Sequence, residues 1–225
     1  MKISIVVPAF NEASVIAMSL ANIREQNPHE LIVVDGGSTD DTRAIAAQFS
    51  DRVIGSARGR AIQMNRGAAV ATGDAFVFVH ADCTLEAGAL NDAVRWLQKP
   101  WVAAGCFQMC VPAPGFGYRC IAAAASARVR LVGIPYGDQG LFLKKKTFEN
   151  VGGFPPVRFL EDVLIGQRLR QLGRVVVSPR RIFVSDRRWQ KVGLIRQTAR
   201  NWAITTFAVM GVSPDRLAGY YPTVR

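Results

Sequence analysis

Residues 75–85 read AFVFVHADCTL, and the rest of the chain is organised around them. The first half of this stretch is a short β-branched and aromatic run, the composition of a strand buried on both faces of a parallel sheet. Asp82 stands where that run gives way to a turn. A carboxylate at such a junction lies at the carboxyl edge of the sheet, where open α/β folds hold their ligands. Two runs upstream end in the same way. Residues 3–7 (ISIVV) read as a strand that opens into PAFNE, and residues 30–35 (ELIVVD) as a strand that ends in Asp35.

Helical spacing fills the gaps between these runs. Residues 11–26 place Ile16, Leu20 and Ile23 on one helical face. Ser38 suits a helix N-cap with Asp41 as its reciprocal partner, ahead of Ile45 and Phe49. A short strand at Val53 and Ile54 precedes a helix through Met64 and Val70, which leads into the opening stretch. The order βαβαβαβ predicts an α/β fold, a mostly parallel central sheet flanked by helices, with right-handed crossovers. Further on, the pattern predicts a helix over 86–98, a long strand over 101–111, an alanine-rich helix over 121–132 and a short strand over 140–143. A helix over 160–172, opening on Glu161 and Asp162, two short strands at 175–177 and 182–184, and a closing helix over about 194–210 complete it.

The totals bound the partners. An apolar content of 49% against 20% charged residues excludes disorder. Met1 and Lys2 lead straight into a strand, with no secretory signal, so the expected location is the cytoplasm. A membrane span needs roughly 20 consecutive apolar residues. The uncharged run 101–118 is broken by Pro112, Pro114, Gly115 and Gly117, and 201–214 is shorter, so no span is expected. Cys83, Cys106, Cys110 and Cys120 lack CxxC spacing and are read as reduced, in or near the core.

Of the net charge of +11, residues 1–173 carry +3 and residues 174–225 carry +8. That asymmetry asks for a phosphate-bearing substrate, an anionic membrane surface or nucleic acid. Nucleic acid is set aside, because the aromatic residues lie in apolar runs and carboxylates crowd the expected cleft. Residues 187–200 mix Arg187, Arg188, Lys191, Arg196 and Arg200 with Val192, Leu194 and Ile195, followed by Trp202 and Phe207. They read either as an interfacial helix on the inner face of the membrane or as a docked helix with a solvated face.

The candidate site residues gather at one sheet edge. Asn11 and Glu12 follow the first strand, Asp35 ends the second, and His80 and Asp82 follow the fourth, with Arg58, Arg60 and Asn65 between them. Gly36 and Gly37 let the backbone turn beside a ligand, although a plain surface turn with a helix cap explains the same residues. Carboxylates interspersed with arginines suit a ligand bearing hydrogen-bond donors and phosphates, joined by a hard divalent cation. A nucleoside diphosphate has both.

The motifs PAFNE, VVDGGSTDDT, GRAIQMNRGA, FVHAD, GDQGLF, LEDVLIGQRL and SDRRW, in this order, resemble the family 2 glycosyltransferases, whose fold is called GT-A. Among these the chain is most similar to a compact bacterial subgroup labelled arsenosugar biosynthesis or radical-SAM-associated glycosyltransferases. The resemblance implies a single domain over 1–225: a nucleotide-sugar-binding half (1–100), an acceptor-binding half (101–190) and a basic helical segment (191–225). It implies an inverting transferase that moves a sugar from a nucleotide-diphosphate donor, a UDP-sugar foremost, to an acceptor hydroxyl with the help of Mn2+ or Mg2+.

By the same resemblance Pro8, Asn11 and Glu12 line the nucleoside pocket, Asp35 accepts from the nucleobase, and Arg60 and Asn65 lie by the nucleotide. Asp82 corresponds to the last carboxylate of the DxD motif and ligates the metal, while His80 stands where the first Asp is usual. An imidazole prefers softer metals, so His80 is read first as packing or hydrogen bonding. Asp162 is the base and Glu161 its neighbour, although acidic residues favour a first helical turn in any case. Gln139, Arg188 and Trp189 serve the acceptor and the diphosphate; Ser185 replaces the usual Gln of QxxRW, and Arg188 and Trp189 also suit core or surface positions. A sugar-nucleotide-binding homologue without catalysis is the alternative reading.

Overall fold

The structure is a computed structural model that describes residues 1–157, 159–210 and 212. Down the first half, β1 (Ile3–Ala9), α1 (Ile16–Glu25), β2 (Glu30–Asp35), α2 (Thr42–Phe49), β3 (Arg52–Gly55), α3 (Arg60–Val70) and β4 (Ala75–Phe78) alternate. Strand β1 pairs in parallel with both β2 and β4, and β2 pairs in parallel with β3. Parallel neighbours need a crossover, and the helices provide it while covering both faces of the sheet. Ile5 and Val7 face Ile16, Leu20 and Ile23 of α1, whereas Val6 faces the side of Met64 and Ala68 of α3. Strand β2 alternates in the same sense, Leu31 and Val33 on one face, Ile32 and Val34 on the other. Each such side chain withdrawn from water contributes about 1.5–3 kcal/mol, and the two carboxylates of β2, Glu30 and Asp35, stand at its ends.

The stretch 75–85 is not one strand. Strand β4 ends at Phe78, a turn closed by the Cys83 amide donating to the His80 carbonyl (3.1 Å) follows, and β5 (Cys83–Leu85) departs. The chain continues through α4 (Ala89–Leu97), β6 (Val102–Cys110), α5 (Phe116–Val132), β7 (Leu141–Lys144), α6 (Lys145–Asn150), α7 (Glu161–Leu172), β8 (Arg174–Val184), α8 (Arg187–Val192) and α9 (Leu194–Val209). The sheet order is β3-β2-β1-β4-β7-β6-β8-β5. Strand β7 is antiparallel to β4 and β6, and β5 is antiparallel to β8, while β6 and β8 are parallel. The α/β class with a mostly parallel sheet is as expected.

Several local expectations are corrected. Ser38 does not cap α2, which starts at Thr42 without a side-chain cap; its hydroxyl donates to Asp35 and accepts from the Asn11 amide, so the loops after β1 and β2 are laced together. Helix α1 starts at Ile16 rather than 11, because Asn11 at φ 53 turns the chain first. The two short strands expected near the end are one, β8. Its register against β6 slips between Phe107 and Gln108, absorbing Pro179, which lacks an N–H for the ladder. Of the cysteines, Cys83 and Cys106 are buried, Cys110 is half-buried, but Cys120 is exposed; all four are free thiols. No helix among the described residues is long and apolar enough to cross a membrane.

Candidate active site

A cleft of about 280 Å3 opens at the carboxyl edge of the sheet. Phe10, Asn11 and Glu12 reach it from the end of β1, and His80 and Asp82 from the turn after β4. Tyr136 to Asp138 come from the turn before β7, Leu160 and Asp162 from the start of α7, and Ser185, Arg187 and Trp189 from the end of β8 and α8. Asn201 and Ile204 of α9 close one side.

Asp162 is held by backbone amides. Gly137 N donates to its Oδ2 at 2.6 Å and Val163 N to its Oδ1 at 2.7 Å. A Cβ on Gly137 would lie 3.0 Å from His80 Nε2 and 3.4 Å from Asp162 Oδ2, so a larger residue in this turn would crowd both. The residue before the helix, Leu160, has φ 66. Bulky residues rarely adopt this left-handed conformation, which costs on the order of 1–3 kcal/mol. The two adjacent acids stand about 100° apart around the helix that begins here. Glu161 is buried with its Oε1 2.8 Å from Arg60 Nε, and Asp162 faces the cleft. Burial pushes the Glu161 carboxyl up from its ordinary range, the Arg60 guanidinium pulls it back, and Asp162 pushes it up again.

A second ionic group faces this pair. Arg187 Nη2 lies 3.0 Å from Glu12 Oε2 and 2.9 Å from Asp82 Oδ2. Glu12 is 3% exposed and Asp82 15%, while Arg187 is 42% exposed. Burial lowers the Arg187 pKa, but hydrogen bonds and charge from the two carboxylates outweigh it and raise it overall. Its Nε also donates to Ser185 Oγ at 3.2 Å.

Of the residues expected at the site, the structure brings Asn11, Glu12, Arg60, His80, Asp82, Asp162 and Trp189 to the cleft. Pro8 is buried within β1. Asp35 is buried too, with the amides of Gly37 and Ser38 donating to its carboxylate at 3.2 Å. Asn65 lies outside the cleft lining; its amide grips the backbone of Phe154, donating to O at 2.8 Å and accepting from N at 2.9 Å. Gln139 is fully buried, and its Oε1 takes Arg128 Nη2 at 2.7 Å and Tyr136 N at 3.1 Å, which organises the turn 136–139. The Arg188 side chain lies outside the described residues. Trp189 is 7% exposed, edge-on to Tyr118, and its indole N–H is buried with no hydrogen-bond partner among the described residues. Sequence reasoning missed Arg187 as a site residue; its place in SDRRW, beside two site candidates, was the available signal.

A hard divalent ion takes oxygen ligands and commonly uses one or two carboxylates together with substrate phosphates. Asp82 and Glu12 each aim a carboxylate oxygen at one guanidinium nitrogen, so a positive charge already stands between them and the donor set fits such an ion. No group of three His, Cys, Asp or Glu among the described residues could hold a metal alone. Phosphate oxygens and water would complete the shell.

The order of strands and the edge cleft define a nucleotide-diphospho-sugar transferase fold, GT-A, and solved structures of that class superpose on the chain. A mannosyltransferase from Pyrobaculum calidifontis, solved with GDP-Man and Mn2+, is 26% identical at a TM-score of 0.67, over 91% of this chain and 60% of its own. TarS from S. aureus, solved with UDP-GlcNAc, shares the fold at 19% identity and a TM-score of 0.65, over 82% and 58%. The chain belongs to glycosyl transferase family 2, a family of enzymes, which matches residues 4–160. An O-antigen chain rhamnosyltransferase of Salmonella typhimurium is 27% identical over 77% of this chain and 62% of its own length. A glycosyltransferase of PGL/p-HBAD biosynthesis from Mycobacterium bovis is 40% identical over 36% of each. The chain therefore spans less than two thirds of these curated relatives.

Proposed function

We propose that this chain is an inverting glycosyltransferase that moves a sugar from a nucleotide-diphosphate donor to an acceptor hydroxyl in a single displacement. One observation carries the reading: Asp82 and Asp162, distant in sequence, face the same cleft at the carboxyl edge of a family 2 domain. Asp162, its lone pairs oriented by the Gly137 and Val163 amides, takes the proton of the acceptor hydroxyl as that oxygen attacks the anomeric carbon. The attack comes from the face opposite the departing nucleoside diphosphate, and the cleft walls hold the two reactants in line. Asp82, with Glu12 beside it, would hold Mn2+ or Mg2+, which when bound supplies Lewis-acid stabilisation of the charge gathering on the diphosphate. Glu161 acts through Arg60 as a positioning pair. Trp189 lines the cleft with a largely buried ring, an apolar wall for the acceptor side.

The donor class is a UDP-sugar foremost, with Pro8, Asn11, Asp35 and Arg60 on the nucleoside side; a mannosyltransferase that shares the fold was solved with GDP-Man, so the nucleobase is a variable of the test. The functional division is a donor half at 1–100, an acceptor half at 101–190 and a basic segment beyond, within the compact bacterial subgroup that the motifs resemble. For that last segment a cytoplasmic, membrane-peripheral position is the reading. Trp202 (53%), Phe207 (50%) and Met210 (74%) are exposed on or just beyond α9, near the cations Arg196 and Arg200.

Calorimetry with a panel of nucleoside diphosphates, with and without Mn2+, tests the donor site. Binding should need both the cation and Asp82. Asp162→Asn should bind as the wild type does and lose transfer. Cation-independent binding by Asp82→Asn with full affinity, or wild-type turnover by Asp162→Asn, would sink the assignments.

A further inference from the structure

Glu12 and Asp82 are acids drawn back from water, and Arg187 is the most exposed member of their ion group. The Glu12 amide donates to Thr42 Oγ1 at 2.7 Å, and its side chain is 3% exposed. Asp82 lies in the turn that follows β4 and is 15% exposed. Carboxylates so far removed from water need a compensating charge. Arg187 provides one, with a single nitrogen about equidistant from both. Yet its side chain is 42% exposed and projects from the first residue of the six-residue helix α8. Once another cation compensates the two acids it can withdraw into water, giving up its hydrogen bond to Ser185 Oγ, since an arginine keeps its charge hydrated at the end of a long apolar stem.

A divalent ion bound by the same carboxylate oxygens would meet this guanidinium at contact distance. One point cannot hold both charges. Building on the donor-site reading above, we infer that Arg187 is a resident counter-ion that competes with the divalent cation for Asp82 and Glu12. It keeps the two acids compensated while the donor site is empty, and cation loading displaces it. A released guanidinium remains beside the cleft and can fork onto phosphate oxygens, the geometry arginine favours. Trp189, on the same short helix as Arg187, lines the same cleft, so the exchange reaches a second cleft residue. That coupling is reciprocal by linkage.

Mn2+ alone, titrated calorimetrically and by loss of its free-ion paramagnetic resonance signal, reads the competition without any turnover. Two uncharged variants, Arg187→Gln and Arg187→Met, should bind Mn2+ about tenfold more tightly than the wild type, within the usual range of coupling between sites. Arg187→Lys, which keeps the charge, should stay near wild-type affinity, and Asp82→Asn should lose binding in every background. Equal or weaker Mn2+ binding by both uncharged variants overturns the inference. UDP binding at saturating Mn2+ separates the two ways of failing. If wild type still binds UDP in a cation-dependent manner, only the competition falls; if it binds neither Mn2+ nor UDP, the donor-site reading falls with it.

Discussion

Glu161 and Asp162 show what one peptide bond separates. Glu161 is 1% exposed against Arg60, whereas Asp162 lies in the cleft with its oxygens held by amides. Removing Arg60 leaves a buried carboxylate without its counter-charge, a change that costs several kcal/mol when the charge stays buried. Arg60→Ala should lower unfolding stability by about 3 kcal/mol at neutral pH, read from urea denaturation. The loss should shrink at lower pH, because burial has already raised the Glu161 pKa and protonation removes the stranded charge. Adding Glu161→Gln should restore part of the loss. The sequence placed both acids at a helix start and could not say which faced solvent; packing of Glu161 against Arg60, contributed by the distant α3, decides that. Asn65 and Gln139 were equally ambiguous. Their amides serve backbone groups, Phe154 for one and Tyr136 for the other, which no local pattern encodes.

At the scale of elements, the first half was legible because parallel strands covered on both faces must be apolar throughout, and amphipathic helices must repeat at their own period. Strand β2 falls where its composition put it. Close approach of α3 to the sheet is a tertiary demand written in one residue. A Cβ on Gly67 would collide with a Val6 methyl and lie 3.0 Å from Val34 Cγ2. On an exposed helix, glycine to alanine gains up to about 1 kcal/mol in propensity. Here overpacking of about 1–3 kcal/mol should outweigh that gain, so Gly67→Ala should lower the thermal midpoint. An unchanged or raised midpoint would mean that α3 can shift on β1 and β2. The division of 75–85 into β4 and β5 was not legible, since β5 exists only because β8 offers it an antiparallel edge.

For the molecule as a whole, two carboxylates tie distant segments together and set its response to acid. Glu30 accepts from Ser4 Oγ at 2.6 Å and Thr72 Oγ1 at 3.0 Å, joining β1, β2 and the connection into β4. Asp51 pairs with Arg24 at 2.8 Å and takes the Leu31 amide at 2.7 Å. Burial raises the Glu30 pKa, but those hydrogen bonds outweigh it and hold it below the ordinary value of 4.5; the Arg24 hydrogen bond leads in holding Asp51 below 3.8. A folded-state pKa below the unfolded one means stability that is present above the unfolded value and lost as pH falls through the folded one. Urea unfolding should therefore show a decline setting in below about pH 4.5, and Glu30→Gln should lose stability at pH 7 while narrowing the difference between pH 7 and pH 3. The α/β class, the sheet edge at which the cleft opens, and the acids that gather there were legible in the sequence alone, because burial period and strand-end chemistry are local properties. The ion group of Arg187 with Glu12 and Asp82, the burial of Glu161 beside a cleft-facing Asp162, and the course of β5 were decided only by the tertiary structure. Each depends on which segments meet across the sheet, and that follows from covering both of its faces together.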